Sequence, residues 1–198
     1  TITALESSGT LTKSTDGSSW TDVAVNDIIL NANIQHLKLA PVADATDDIT
    51  FSYKVSDSDT ASGAAYVMTT SFAAENDVPT WSVSAADVSG NEDTAISITG
   101  SAIADVDDTS MDSFTMSSTQ SGTYSLAQTT GLSFTTGDGT ADNAMVFSGT
   151  VANINLAIAT ITWTSASNSN TNAVLTMTPN DGADGAADTV AITVNAVD

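Results

Sequence analysis

Asn76-Asp77-x-Pro79, Asp105-Val106-Asp107-Asp108, and Asp181 with Asp184 concentrate carboxylate and amide oxygens in three short stretches of the chain. Glu92 beside Asp93 forms a fourth. Hard oxygen donors in loops suit a hard cation. Calcium takes 6–8 such oxygens from carboxylates, amides and backbone carbonyls in tolerant geometry, whereas magnesium prefers to keep its waters. Zinc is disfavoured, because the chain has no cysteine and one histidine, His36. His36 stands in "NIQHLKL", away from any nucleophile-elbow pattern, so a catalytic triad is not expected. The "GDGT" turn has no following lysine and is not a phosphate loop. Acids are plentiful, but as loop residues rather than a facing pair in a cleft, which argues against glycosidase chemistry and against an enzyme generally.

The charge balance narrows the partners further. The 198 residues carry 24 Asp and Glu against three lysines, Lys13, Lys38 and Lys54, and no arginine, a net charge of −21. Such a surface cannot neutralise phosphates, so nucleic acid is not an expected partner. Anionic headgroups would repel it, and no apolar run reaches the ~18–20 residues of a membrane helix, so direct membrane insertion is not expected either. No basic residue follows Lys54, so nothing within residues 76–198 can neutralise the clusters by ion pairing.

The elements that must hold these clusters read as β-strands. "ITFSYKV" alternates Ile49, Phe51, Tyr53 and Val55 with polar residues, and "DTVAITV" alternates Val190, Ile192 and Val194. Shorter runs carry Ile96/Ile98, Leu132/Phe134, Met145/Phe147, Ile161/Trp163 and Leu175/Met177. Further strands are expected over Tyr66–Phe72 and Trp81–Val88. Clusters such as "QSGT", "TGDGTADN" and "NDGADG" are turns, with Asp138 and Asp142 read as hairpin residues rather than ligands. One short helix is expected, over about 150–158. Many short strands at this spacing predict an all-β sandwich.

An internal repeat divides the chain. "LKLAPVADATDDITFSYKVSD" (37–57) aligns without a gap to "ITWTSASNSNTNAVLTMTPND" (161–181), matching Leu37 to Ile161, Leu39 to Trp163, Phe51 to Leu175 and Tyr53 to Met177. "SSGTLT" near the start matches "QSGTYS" at 120–125. Residues 76–198 then form a whole module, and residues 1–75 a module without its first two strands. Either the chain continues upstream, the preferred reading, or a neighbour supplies the missing edge. Asp57 and Asp59 would serve an equivalent upstream junction.

The topology of a sandwich brings the acidic stretches together. If residues 188–195 end at the C-terminal pole, the loop Pro179–Ala187 lies at the N-terminal pole. An outgoing strand at 81–88 and a return at 94–103 place Ala104–Ser110 there too. Asn76, Asp77, Asp105, Asp107, Asp108, Asp181 and Asp184 then meet at one pole, with Glu92 a further candidate whose loop can lie at the other. Pro79 keeps its predecessor extended, so this linker is a hinge that a cation can lock. The plain alternative is a solvated acidic surface. Trp163 and Trp81 are expected in packing roles, and Trp20, after "STDGSS", is the aromatic most open to a sugar ring.

Taken together, "NDVP", "NEDT", Asp105-Val106-Asp107, "FTTGDGTAD" and the terminal "ITVNAV" resemble the cadherin-like, immunoglobulin-fold tandem repeats of large bacterial surface adhesins exported by type I secretion. The resemblance covers nearly all of 76–198 and, more weakly, 1–75. It implies two consecutive cadherin-like β-sandwich modules at a bacterial cell surface. It implies calcium-rigidified spacers whose partners are neighbouring repeats of the same chain, supporting surface or biofilm adhesion. The alternatives are a module binding carbohydrate or another surface polymer, and a strand-exchanging filament or surface-layer subunit.

Overall fold

The computed structural model describes residues 1–57, 63–84, 87–183 and 185–197. The chain divides into two compact units, Thr1–Glu75 and Asn76–Asp198. It is all-β, with one α-helix and one short 3-10 helix among the described residues.

In the first unit, β1 (Ile2–Ala4), β5 (Ile49–Tyr53) and β6 (Tyr66–Thr70) form a sheet in the order β1-β5-β6. β2 (Thr10–Lys13), β3 (Thr21–Asp22) and β4 (Leu37–Ala40) form another, in the order β3-β2-β4. The two layers meet over Ile2, Leu11, Val23 and Phe51, with Leu37, Leu39 and Tyr53 half-buried against them. Ile49 and Phe51 point inward as their alternation requires, but Val55 is exposed, because β5 ends at Tyr53. The 3-10 helix Asn31–His36 leads directly into β4 and has no apolar period that would have announced it.

The second unit has the larger core. The remaining strands are β7 (Thr80–Ser82), β8 (Asp87–Asn91), β9 (Ile96–Thr99), β10 (Ala102–Ala104), β11 (Ser110–Ser118), β12 (Gly122–Ser125), β13 (Leu132–Thr136), β14 (Met145–Thr150), β15 (Thr160–Ser165), β16 (Ala173–Asn180) and β17 (Asp188–Asn195). One sheet runs β13-β14-β11-β16-β17-β8; opposite it lie β12-β15-β9 and the ribbon β10-β7. Trp81, Ile96, Ile98, Phe114, Tyr124, Phe147, Ile161, Trp163, Leu175, Val190 and Ile192 fill the space between them in one buried cluster. Each fully buried aliphatic side chain there contributes about 1.5–3 kcal/mol.

The stretch expected as one strand over Trp81–Val88 is two, β7 and β8, in different sheets. The return over 94–103 is likewise two, β9 and β10. Gly100 stands in the second break at φ +72, where any Cβ would run into the side chain of Ser84 in the first. The two crossings pass so closely that only glycine fits. The expected helix is α1 (Val151–Ile158), capped by Thr150, whose hydroxyl accepts from Asn153 N–H at 3.2 Å. α1 buries Ile154, Ala157 and Ile158 in the core.

Candidate metal centre

Strand register decides which loops meet at the N-terminal pole of the second unit. β10 and β7 are antiparallel with Ala104 opposite Thr80, so the residues after Ala104 lie beside the residues before Thr80. β11 and β16 are antiparallel with Ser113 opposite Asn180, which brings the turn after Asn180 alongside the start of β11. Asn155 of α1 fixes β10 from its other edge: Ile103 N–H donates to Asn155 Oδ1 at 2.7 Å, and Asn155 Nδ2 donates to Ile103 O at 2.9 Å.

Hydrogen bonds join the segments so placed. Asn76 Nδ2 donates to Asp181 Oδ2 at 2.9 Å. Asp77 N–H donates to Asp107 Oδ2 at 2.7 Å. The first residues of the unit are thereby tied to both acidic loops. Within the 105–108 loop, Asp105 Oδ1 accepts from Asp107 N–H at 2.9 Å and Asp108 N–H at 2.7 Å, an Asx-type turn. Asp105 Oδ2 is buried and has no hydrogen-bond partner among the described residues. In the third segment, Asp181 Oδ1 accepts from Ala183 N–H at 2.8 Å and Asn180 Oδ1 from Gly182 N–H at 2.9 Å. Asp184 lies outside the described residues, as does Asp59.

A further carboxylate stands at this pole. Gly182, at φ +105, lies directly against the carboxylate of Asp112. Asp112 sits where the β11–β14 register shifts between Met111 and Phe114. The signal is in the sequence: inward apolar residues fall at Met111, Phe114 and Met116, so the alternation skips once, as a β-bulge requires.

Glu92 stands apart from the other candidates. It follows β8, which runs parallel to β17 with Asn91 beside Asn195, and so lies at the C-terminal pole. Glu92 N–H donates to Asn195 O, and Glu92 Oε1 accepts from Val197 N–H, both at 2.9 Å. Its carboxylate fastens the outgoing chain. Its neighbour Asp93, at φ 58, accepts from Asn168 N–H at 2.9 Å and stabilises a turn.

Other acidic loops satisfy themselves. Asp142 Oδ2 accepts from Asp138 N–H at 2.8 Å and Gly139 N–H at 2.7 Å, while Asp138 Oδ1 accepts from Thr140 N–H at 2.9 Å, so this segment is the expected hairpin turn. In the first unit the N–H groups of Ser19 and Ser18 and the hydroxyl of Ser14 hold the Asp16 carboxyl down at about 2. Three donors converge on Asp16 Oδ1, whereas the inner oxygen of Asp105 has none among the described residues. Among the described residues no group of three His, Cys, Asp or Glu side chains stands at metal-binding spacing. The pole thus gathers its carboxylates loosely, through backbone and amide contacts.

The aromatics are committed elsewhere. Trp163 is fully buried and Trp81 nearly so. Lys38 Nζ lies 3.7 Å from the centroid of the half-buried Trp20 ring, covering one of its faces. No family model matches the chain, and no curated protein matches it.

Proposed function

We propose that the chain is a calcium-stiffened spacer of a bacterial surface adhesin, built from cadherin-like, immunoglobulin-fold modules and acting without catalysis outside the cell. The observation that carries this reading is Asp105 Oδ2, a buried carboxylate oxygen without a hydrogen-bond donor among the described residues. It stands in a loop tied through Asp107 to the backbone of Asp77. Leaving such an oxygen unpartnered costs about 1–3 kcal/mol, more for a charged group, and a cation removes that cost. No lysine or arginine lies in residues 76–198 to do so.

The donor chemistry fits calcium. Asp105, Asp107 and Asp181 do not stand at metal-binding spacing without the ion; the reading requires them to close on it, with oxygens of Asn76 and Asp77 completing an all-oxygen shell. Bound there, calcium would supply charge neutralisation and a mechanical tie. Asn76 and Asp77 already rest on the loops through two hydrogen bonds, and ligation would fix the direction in which the chain enters the unit. Spacer repeats of this kind act with neighbouring repeats of the same chain. The burial of Trp81 and Trp163, with Lys38 over one face of Trp20, supports this reading over a carbohydrate-binding surface.

Isothermal titration of residues 1–198 with calcium in ~0.15 M NaCl, where exposed charges are screened beyond roughly 8 Å, tests it directly. Saturable uptake and a raised melting temperature are expected, with magnesium much weaker. An absence of binding heat together with an unchanged melting temperature would overturn the reading.

A further inference from the structure

We propose that the first unit is a receptor for a polypeptide segment of two short strands, with the sequence pattern of Asp87–Thr99. The second unit supplies the template. Tyr53 faces Ile2 across β5–β1 as Met177 faces Met116 across β16–β11. Leu39 faces Leu11 across β4–β2 as Trp163 faces Tyr124 across β15–β12. Phe51 faces Met68 across β5–β6 as Leu175 faces Val190 across β16–β17. The strands β1, β5, β6, β2 and β4 therefore correspond, in register, to β11, β16, β17, β12 and β15.

The correspondence stops at two edges. In the second unit β17 carries β8 in parallel, and β15 carries β9 antiparallel. In the first unit β6 and β4 are the last strands of their sheets. The consequences appear in burial. Val190 is 0 % exposed, while its counterpart Met68 is 46 % exposed. Leu37 and Leu39 are half-buried where Ile161 and Trp163 are fully buried. By the two free edges lies an open groove of about 740 Å³, lined by Leu37 and Leu39 of β4, Phe51 and Tyr53 of β5, Met68 and Thr70 of β6, and the apolar segment 28–34 that leads into β4.

The walls of the groove decide the class of ligand. Its volume alone would suit a small molecule. Its flanks, however, are strand edges whose outward N–H and C=O groups need a ladder partner, and only a polypeptide satisfies both flanks while filling the apolar floor. Asp87–Thr99 shows how one chain does this. Val88 and Gly90 lie beside Ile192 and Val194, the chain turns through Glu92-Asp93, and Ile96 and Ile98 return beside Trp163 and Ile161. Gly90 is small because Ile96 packs over it. The segment carries Asp87, Glu92 and Asp93 and no basic residue, and both Lys54 and Asp57 line the receiving groove, so the apolar pattern rather than charge selects the ligand. A second copy of this chain is a poor donor, since its own Ile96 and Ile98 are buried and withdrawing them would open an equal groove.

The test uses 15N-labelled residues 1–198 and a synthetic peptide of Asp87–Thr99, followed by amide exchange at up to about 1 mM peptide, where binding worth ~4 kcal/mol is half-saturating. Saturable protection of β6 and β4 amides is expected, by about tenfold at a peptide concentration ten times the dissociation constant. A peptide bearing Ile96→Asp and Ile98→Asp should give none. Met68→Glu, a change at a half-exposed position that the fold tolerates, should abolish protection while leaving the spectrum of the second unit unchanged. Absence of protection, or equal protection by a scrambled peptide, overturns the proposal. So does a chain that self-associates with these amides already protected, which would assign the groove to a second copy.

Discussion

Asp105 divides its carboxylate between two tasks, and a pair of substitutions separates them. Oδ1 accepts two backbone N–H groups and shapes the loop; Oδ2 accepts none among the described residues. Asp105→Asn keeps a carbonyl oxygen for the turn but replaces the inner oxygen with an NH2 group that cannot ligate a cation. Its stability without calcium should stay within about 0.5 kcal/mol of the parent, while the calcium-dependent rise in melting temperature disappears. Asp105→Ala should lose the calcium response and also about 1 kcal/mol of calcium-free stability, as loss of a capping side chain does. Urea unfolding with and without chelator measures both. Equal calcium responses in Asp105→Asn and the parent would remove Asp105 from the site. At this scale residue type was legible and partnership was not. The acidic stretches announced oxygen chemistry, but nothing local distinguishes Asp107, which meets the Asp77 backbone, from Glu92, which holds Val197 at the opposite pole. Asp112 lies in a strand rather than an acidic loop, and only the skipped alternation between Met111 and Phe114 marks it.

Strands with one buried face were easy to recognise, because a period of two leaves little choice of register. β5, β9, β16 and β17 follow their alternation, and α1 follows its apolar spacing from the cap at Thr150. The crossings between layers were less visible. β7–β8 and β9–β10 read as continuous strands because their breaks change the sheet without interrupting the apolar pattern, and Gly100 is the one local mark of the change. The repeat also carries through its last hairpin. "SGAAYVMTTSF" falls on "DGAADTVAITV", which sets Met68 against Val190 as the ladders do, with a gap taken up by the longer β5–β6 connection. Long-range clamps such as Asn155 on Ile103 leave no sequence signal at all. Asn155→Ala would strip partners from the Ile103 N–H and C=O at the edge of β10 and should destabilise the second unit by about 1–3 kcal/mol. Asn155→Asp restores the acceptor but not the donor and should recover only part of that. Urea midpoints compared with the parent decide it, and a shift below about 0.5 kcal/mol for Asn155→Ala would mean that water replaces the clamp.

At the scale of the whole molecule, a charge of −21 on 198 residues makes two effects of added cations easy to confuse. Any salt screens the mutual repulsion of the carboxylates and lets an acidic chain contract. A calcium ion held by Asp105, Asp107 and Asp181, as proposed, would act oppositely on the chain entering the second unit: it would fix that segment and restrict the directions available to Glu75 and everything before it. The two are separable because screening depends on ionic strength and ligation on the identity of the ion. Small-angle scattering of residues 1–198 in ~0.15 M NaCl, where the screening length is already about 8 Å, leaves little further contraction for millimolar divalent ions to produce. Calcium should then narrow the distribution of interatomic distances and raise the radius of gyration, magnesium at equal ionic strength should do neither, and Asp105→Asn should abolish the response. If calcium and magnesium give the same profile, the acidic pole is a solvated surface and the stiffening role fails. Binding heat without any change in profile would keep the ion at the pole but deny it a mechanical effect.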